Sequence, residues 1–480
     1  MSEFTESKFQ LKKYLMVFVS LPIICLFIMG VLEYPGDVTY YIIFSVVSNT
    51  LLYFGFRENA IFFDAFIGVL LWLGFWLKFS FRLVFLEATF NDPIGIFSGT
   101  ASEFDYAMLV CSVGLFALIL ASAVREKFIF CYKEKMYFNE DASLFLFYKN
   151  NRVCLLLLFL LVVVVVSASN LYLGIYQRGT IPKTVLPYGL GGVYSWLLLF
   201  GLSSFSALII WYELILKKKT IFLVIFIALI ESFFSCVSLL SRAMVINSSS
   251  LLYGYYKTLR LNKIVFSKRY CAIIFCVFFI LFAISVYSVN YMRLNAVTKL
   301  APGEVMSETT KATETISSVN VLLIDRWVGI EGVLAVSSYN NKGWELWNRA
   351  WQEKILYDRA SIYDADIALP QNINPDFSKH HFLSVPGVIA FWFYPGSFMF
   401  LMLGMFCLGL AAALIEVSVY YLGGKNLILC ALLAQVVAYR YAHFGYVPQQ
   451  SYLLFGALYL NLFLIYFSNV FFTYWYRSKS

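Results

Sequence analysis

The chain has 480 residues, of which 61% are hydrophobic, 19% aromatic and only 13% charged, where a soluble domain carries about 25% charged residues. Predominantly apolar runs of 18 or more residues recur, each long enough to cross a bilayer as a helix, so a soluble enzyme is excluded. The net charge of +8 would suggest nucleic acid in a soluble protein; here lysines and arginines anchoring cytoplasmic loops account for it, and no nucleic-acid partner is expected.

Lipid cannot satisfy backbone N–H and C=O groups, so spans must be helical. The sequence predicts an all-α polytopic integral membrane protein with about 12 transmembrane helices and one long, partly helical outer loop. The spans lie near 14–32, 38–56, 60–81, 104–124, 153–174, 188–215, 220–240, 243–257, 270–292, 397–421, 426–441 and 450–472. The first follows Lys12 and Lys13 but is long and lacks a small-residue cleavage site, so no cleavable signal peptide is expected. The eighth is short and carries Asn247, Ser248, Ser249 and Ser250, which must face protein or water. Three parts follow: an N-terminal membrane bundle over 1–292, the long loop over 293–385, and a C-terminal bundle over 386–480.

With the N-terminus inside, 21 of the 36 Lys and Arg are cytoplasmic and 15 lie outside. Nine of those 15 sit in the long loop, which the positive-inside rule does not count, leaving 6 against 21. Both termini are therefore expected in the cytoplasm. The nine cysteines all avoid the long loop and form no CxxC or Cys/His cluster, so neither a disulfide framework nor a zinc site is expected.

The loop from Arg293 to Val385 carries eleven Asp/Glu against nine Lys/Arg. Ala301 to Ser318 is rich in Thr, Ser and Glu and reads as flexible. Val321 to Arg359 reads as helical, with Trp344, Trp347, Trp351 and Ile355 forming one apolar face that either lies on the bilayer or caps the membrane domain. Pro370, Pro375 and Pro386 mark an irregular return.

Candidate chemistry is cationic. Arg242 stands between the seventh and eighth spans, where its rigid fork of donors suits a phosphate, or where it snorkels to headgroups. Arg293 ends the ninth span at the same outer interface, either converging with Arg242 on one anion or serving the helix C-terminus as a dipole-favoured cation. In Asp325-Arg326-Trp327-Val328-Gly329-Ile330-Glu331-Gly332 a helical reading puts Asp325, Gly329 and Gly332 near one face, which allows close packing. Arg326 is a candidate for binding phosphate or sugar, and Glu331 for general base on a sugar hydroxyl; the alternative is a solvated helix with a weak local ion pair. His380, His381 and His443 all fall outside, and Arg440 shares a helix end with His443. Two adjacent histidines lack the further ligands that a metal needs. The sequence has no P-loop, GxGxxG after a strand, or HExxH, so nucleotide chemistry is not expected.

This layout resembles the O-antigen polymerase family, bacterial enzymes that polymerise lipid-linked oligosaccharide repeat units. Ser241-Arg242-Ala243-Met244 before the eighth span resembles one family arginine site, and Arg293 and Arg326 in the long loop resemble another. A family pattern of Arg, ten residues and Gly is off by one here, since eleven residues separate Arg242 from Gly254. The resemblance implies a multi-pass protein of the bacterial inner membrane, with the long loop in the periplasm. It implies a polyprenyl-diphosphate-linked glycan and membrane lipids as partners, possible contact with a chain-length regulator, and no cofactor. Arg242, Arg293 and Arg326 would neutralise the diphosphate leaving group. Arg440, His380 and His381 would help to bind substrate, and Glu331 or His443 would take the acceptor proton. Related O-antigen ligases share the layout and often use an outer-loop histidine. A flippase or other transporter would need a polar path through the spans, for which Asp64, Glu213 and Glu231 are the main candidates.

Overall fold

A computed structural model describes residues 20–132, 143–178, 182–217, 222–241, 244–262, 264, 268–298, 324–354, 360–369, 384–445 and 448–477. Among these, every regular element is helical. In chain order the helices are α1 (Ser20–Glu33), α2 (Val38–Phe56), α3 (Phe62–Phe85), α4 (Ala101–Phe128), α5 (Ser143–Asn150), α6 (Arg152–Leu173), α7 (Pro187–Lys217) and α8 (Phe222–Ser238). They continue with α9 (Met244–Leu261), α10 (Lys268–Thr298), α11 (Ile330–Ser338), α12 (Trp344–Trp351), α13 (Val388–Trp392), α14 (Phe398–Leu422), α15 (Leu427–Ala442) and α16 (Pro448–Arg477).

Among the described residues, each apolar segment expected from the sequence falls on a helix. Eight of them, α2, α3, α4, α6, α7, α10, α14 and α16, are long and apolar enough to cross a membrane, and α1, α8 and α15 are shorter apolar helices. The chain is thus an all-α, multi-pass membrane protein. Local signals set several boundaries. Thr100 and Glu103 form a capping box at the start of α4, and the Asn426 side chain accepts from Ile428 N and Leu429 N to open α15. One expected boundary moves: α10 runs through residue 292 to Thr298, because no Pro or Gly interrupts Arg293 to Thr298.

The short helix α15 sits at the centre, with α3, α7, α9 and α14 packed around it. Leu427 to Leu433 are wholly buried, so α15 faces protein over this stretch and need not match the lipid thickness. Elsewhere α4 packs on α2 and α14, and α8 packs between α6 and α10.

The expected helix over Val321–Arg359 is two helices, α11 and α12, separated where Asn340-Asn341-Lys342-Gly343 breaks the pattern. The tryptophan face of α12 caps the bundle: Trp347 lies 4.9 Å from each of Phe391, Trp392 and Phe400. Ile355 lies outside the described residues. Although it belongs to the polar loop, α11 is buried from Ile330 to Ser337 and packs on α4. Its Gly332 meets the Pro386 carbonyl so closely that a Cβ would stand 1.8 Å from that oxygen. The segment Asp325–Gly329 is not helical; α3 side chains bind its carbonyls instead, as described below.

Candidate anion site at one end of the bundle

Arginines from four parts of the chain meet where α6, α8, α10 and α15 end. The first is Arg178, which the sequence reading did not single out. Helix α6 stops at Gly174, which adopts φ 60°, the left-handed conformation that glycine enters without strain. Asn170, fully buried, then fixes the turn: its amide nitrogen donates to Tyr176 O and Ser238 O at 2.9 Å, and its oxygen accepts from Tyr176 N at 2.8 Å. Arg178 N donates to Leu239 O at 2.9 Å, tying the turn to the end of α8. The Arg178 side chain reaches the Tyr439 hydroxyl at 3.4 Å and lies 5.6 Å from that ring.

Arg293, on the last turns of α10, donates to Leu240 O at 3.0 Å and to Arg178 O at 3.3 Å. Leu240 holds φ 51°, a conformation that costs a leucine on the order of 1 kcal/mol; it presents its carbonyl to Arg293. Arg440, on α15, donates to Ser451 Oγ at 2.8 Å. Arg326 comes from the loop and is an electrostatic neighbour of Arg178, Arg293 and Tyr439. Burial lowers the Arg326 guanidinium from its ordinary range, Tyr439 opposes that effect and Arg178 adds to it.

His443 completes the group. Its ring stacks on Tyr439 with centroids 4.0 Å apart, and its Nδ1 lies 3.0 Å from Tyr439 O. A carbonyl only accepts, so Nδ1 carries the proton and Nε2 keeps its lone pair. Burial, together with Arg178, Arg326 and Arg440, pushes this histidine down to about 4, so it is neutral at pH 7. Among the described residues no carboxylate forms an ion pair with Arg178, Arg293 or Arg326. Among the described residues the arrangement is a set of donors around a neutral base, with no carboxylate paired to Arg178, Arg293 or Arg326.

The structure thus brings Arg293, Arg326, Arg440 and His443 together, while Arg242, His380 and His381 lie outside the described residues. Glu331 stands apart from this group. Its carboxylate does not join the arginines; it lies 2.5 Å from the Lys78 ammonium, and both side chains are buried. Burial pushes Glu331 up to about 7, against the pull of Lys78. Held this way, the carboxylate is the ion-pair partner of Lys78 and lies apart from the arginines.

The carboxylates within spans are also engaged. Asp64 pairs with Arg125 at 2.6 Å and accepts from Ser122 at 2.7 Å. Glu213 binds Arg152 and Tyr148, and Glu231 accepts from Ser203 and Ser235. Each is enclosed by side chains of its own or adjacent helices, which supplies a packing explanation for the residues that had hinted at transport. Asp364 and Asp366 diverge, to Ser361 and Arg349 respectively, and among the described residues no group of three or more His, Cys, Asp or Glu is placed to hold a metal ion.

Arg178 could have been found from the sequence. It is one of the few cations beyond the long loop that the expected topology puts outside, the same argument that drew attention to Arg242. Tyr439 left no such signal, being one aromatic among 34 tyrosines. Comparison of the chain with protein-family models, with curated proteins and with solved structures finds no match.

Proposed function

We propose that this protein is a membrane glycosyltransferase that polymerises polyprenyl-diphosphate-linked oligosaccharide repeat units at the periplasmic face of the bacterial inner membrane. The proposal includes twelve spans and cytoplasmic termini. The observation that carries it is the convergence of Arg178, Arg293, Arg326 and Arg440 around Tyr439 and His443. Half-buried cations gathered at one place repel one another, and the cluster favours a ligand that brings negative charge. A diphosphate at the lipid–water boundary fits both the charge and the position at helix ends.

In this reading the arginines bind the diphosphate and stabilise the charge that develops on it as the glycosidic bond to the anomeric carbon breaks. The acceptor sugar hydroxyl attacks that carbon, and His443 Nε2 takes its proton. His443 is a weak base in the free protein because burial and the neighbouring arginines oppose its protonation. An arriving diphosphate cancels the arginine field, so donor binding strengthens the base when it is needed. A chain-length regulator is a further proposed partner.

Attack by an acceptor other than a lipid-linked repeat would make the protein a ligase, a reading favoured by the presence of His443 in the site. Purified protein in nanodiscs, supplied with lipid-linked repeat units, tests both. A ladder of longer glycans that disappears with Arg293→Ala supports the polymerase. Transfer to lipid A core without a ladder supports the ligase, and binding or flipping with neither product overturns both.

A further inference from the structure

Arg326 lies on a non-helical segment, and a side chain on such a segment is held only as well as its backbone. The backbone on both sides of Arg326 is held from α3. Lys78 Nζ, wholly buried, donates to Asp325 O at 3.0 Å and Trp327 O at 3.1 Å, the carbonyls of the residues flanking Arg326. Arg82, also buried, makes an ion pair with the Asp325 carboxylate, with Nε at 3.0 Å. Asn91 Nδ2 donates to the other oxygen of that carboxylate at 2.7 Å. Lys78 is balanced by Glu331 at 2.5 Å and Asp92 at 3.4 Å.

Two glycines let the segment approach this closely. A Cβ on Gly74 would stand 2.2 Å from Val328 O, and one on Gly329 would stand 2.4 Å from Gly74 O. Gly74 lies in the π-helical turn Trp72–Leu77 of α3. Such turns displace one helical register and often mark functional positions. Here the turn comes immediately before Lys78.

We propose that Lys78 and Arg82 are positioning residues for Arg326: a two-point clamp on α3 that fixes the loop arginine against the bundle-borne Arg178, Arg293 and Arg440. The proposal rests on the anion-site reading above. Neither clamp residue touches the ligand. Lys78 holds the two flanking carbonyls and Arg82 holds the Asp325 side chain, and the directed guanidinium of Arg326 results. The clamp gives Lys78 a role that simple loop docking does not require. A docking lysine can bind anywhere on the loop, whereas this one binds the two carbonyls that bracket the functional residue.

The test is a double-mutant cycle on the full chain in nanodiscs, with farnesyl diphosphate as a soluble diphosphate probe and its dissociation constant as the readout. Arg326→Ala is expected to weaken binding about 30-fold, the loss of one charge-assisted contact. Lys78→Met is expected to do nearly the same, and the double variant to be no weaker than Arg326→Ala alone, because both changes remove one interaction. Lys78→Arg, which keeps donors on the two carbonyls, should restore part of the affinity.

Independent, multiplying losses in the double variant would overturn the clamp, as would wild-type affinity in Lys78→Met. If Lys78→Met does not accumulate, Asp325→Asn replaces it; it removes the ion pair to Arg82 while keeping a side chain that Asn91 can reach. The same non-additivity with Arg326→Ala is expected, and additive losses refute the clamp. Absence of probe binding by the wild type, or an Arg326→Ala variant that binds normally, instead defeats the anion-site reading and leaves the clamp without an object.

Discussion

Arg178→Ala separates a ligand-binding arginine from a structural one. In the structure its side chain makes one long hydrogen bond, 3.4 Å to the Tyr439 hydroxyl, and stands near that ring. Its firm contacts are backbone ones: N to Leu239 O, and O accepting from Arg293. Alanine retains both. The folding cost of the change is therefore about 1 kcal/mol or less, and relief of repulsion among neighbouring arginines offsets it. A lost contact to a bound diphosphate is a different magnitude, about 2 kcal/mol for a hydrogen bond to a charged group, or roughly 30-fold. The expected result is a melting temperature within a few degrees of the parent and turnover of lipid-linked repeats reduced about 30-fold. Arg178→Lys keeps the charge but loses the planar fork, and should fall between the two. A variant that melts far below the parent while keeping its turnover per folded molecule would refute the reasoning, because Arg178 would then be holding the fold and not the ligand.

Further expectations concern the other groups. His443→Gln should abolish turnover while leaving farnesyl diphosphate binding within about threefold, since the ring is assigned proton transfer and not diphosphate contact; equal loss of both in a binding assay would contradict that assignment. The depressed titration of His443 also has a stability consequence. Between its ordinary value of 6.5 and about 4 the unfolded chain binds the extra proton, so this contribution is present above 6.5 and lost as pH falls toward 4; thermal melts of parent and His443→Gln should converge at low pH. Glu331→Gln breaks a buried ion pair and should destabilise by about 3 kcal/mol, read as a lowered melting temperature, whereas loss of turnover at unchanged melting temperature would reinstate Glu331 as a base. Gly332→Ala drives a Cβ into the Pro386 carbonyl and should cost about 2 kcal/mol from overpacking, detectable as increased proteolysis of the outer loop.

The helices were the most legible part of this chain. Apolar runs report helices directly because lipid admits few alternatives, and even short α15 was visible from composition. The loop was legible in its parts but not in its path. The Trp344–Trp347–Trp351 stripe predicted an apolar face, of which Trp347 and Trp351 are half-buried and Trp344 stays exposed, yet nothing local distinguishes a face laid on lipid from one laid on Phe391 and Trp392. Asp325 to Gly332 read as one helix because its own spacing favours one. The structure breaks it at Gly329 because Lys78 and Arg82, more than 240 positions earlier in the chain, capture its polar groups. The same long-range pairing sets the surroundings of Glu331. A loop carboxylate read in isolation invites a catalytic reading, and its ion-pair partner is a lysine on α3 that the sequence cannot place beside it.

The contrast between paired and unpaired charge is what gives the arginine group its meaning. Elsewhere the bundle neutralises buried charge locally: Asp64 with Arg125, Glu213 with Arg152, Asp325 with Arg82, Glu331 with Lys78. These pairs join different elements and are explained by packing. Against these four pairs, Arg178, Arg293 and Arg326 are half-buried and form no ion pair with any described carboxylate, which places uncompensated positive charge, among the described residues, at one end. If that excess serves a diphosphate, occupancy by farnesyl diphosphate should raise the melting temperature in proportion to the logarithm of its concentration. The gain should shrink when any one of the three arginines is replaced by alanine, and should be unaffected by Arg152→Ala at the opposite end of the bundle. Equal stabilisation in all four variants would place the probe in lipid and not in the site.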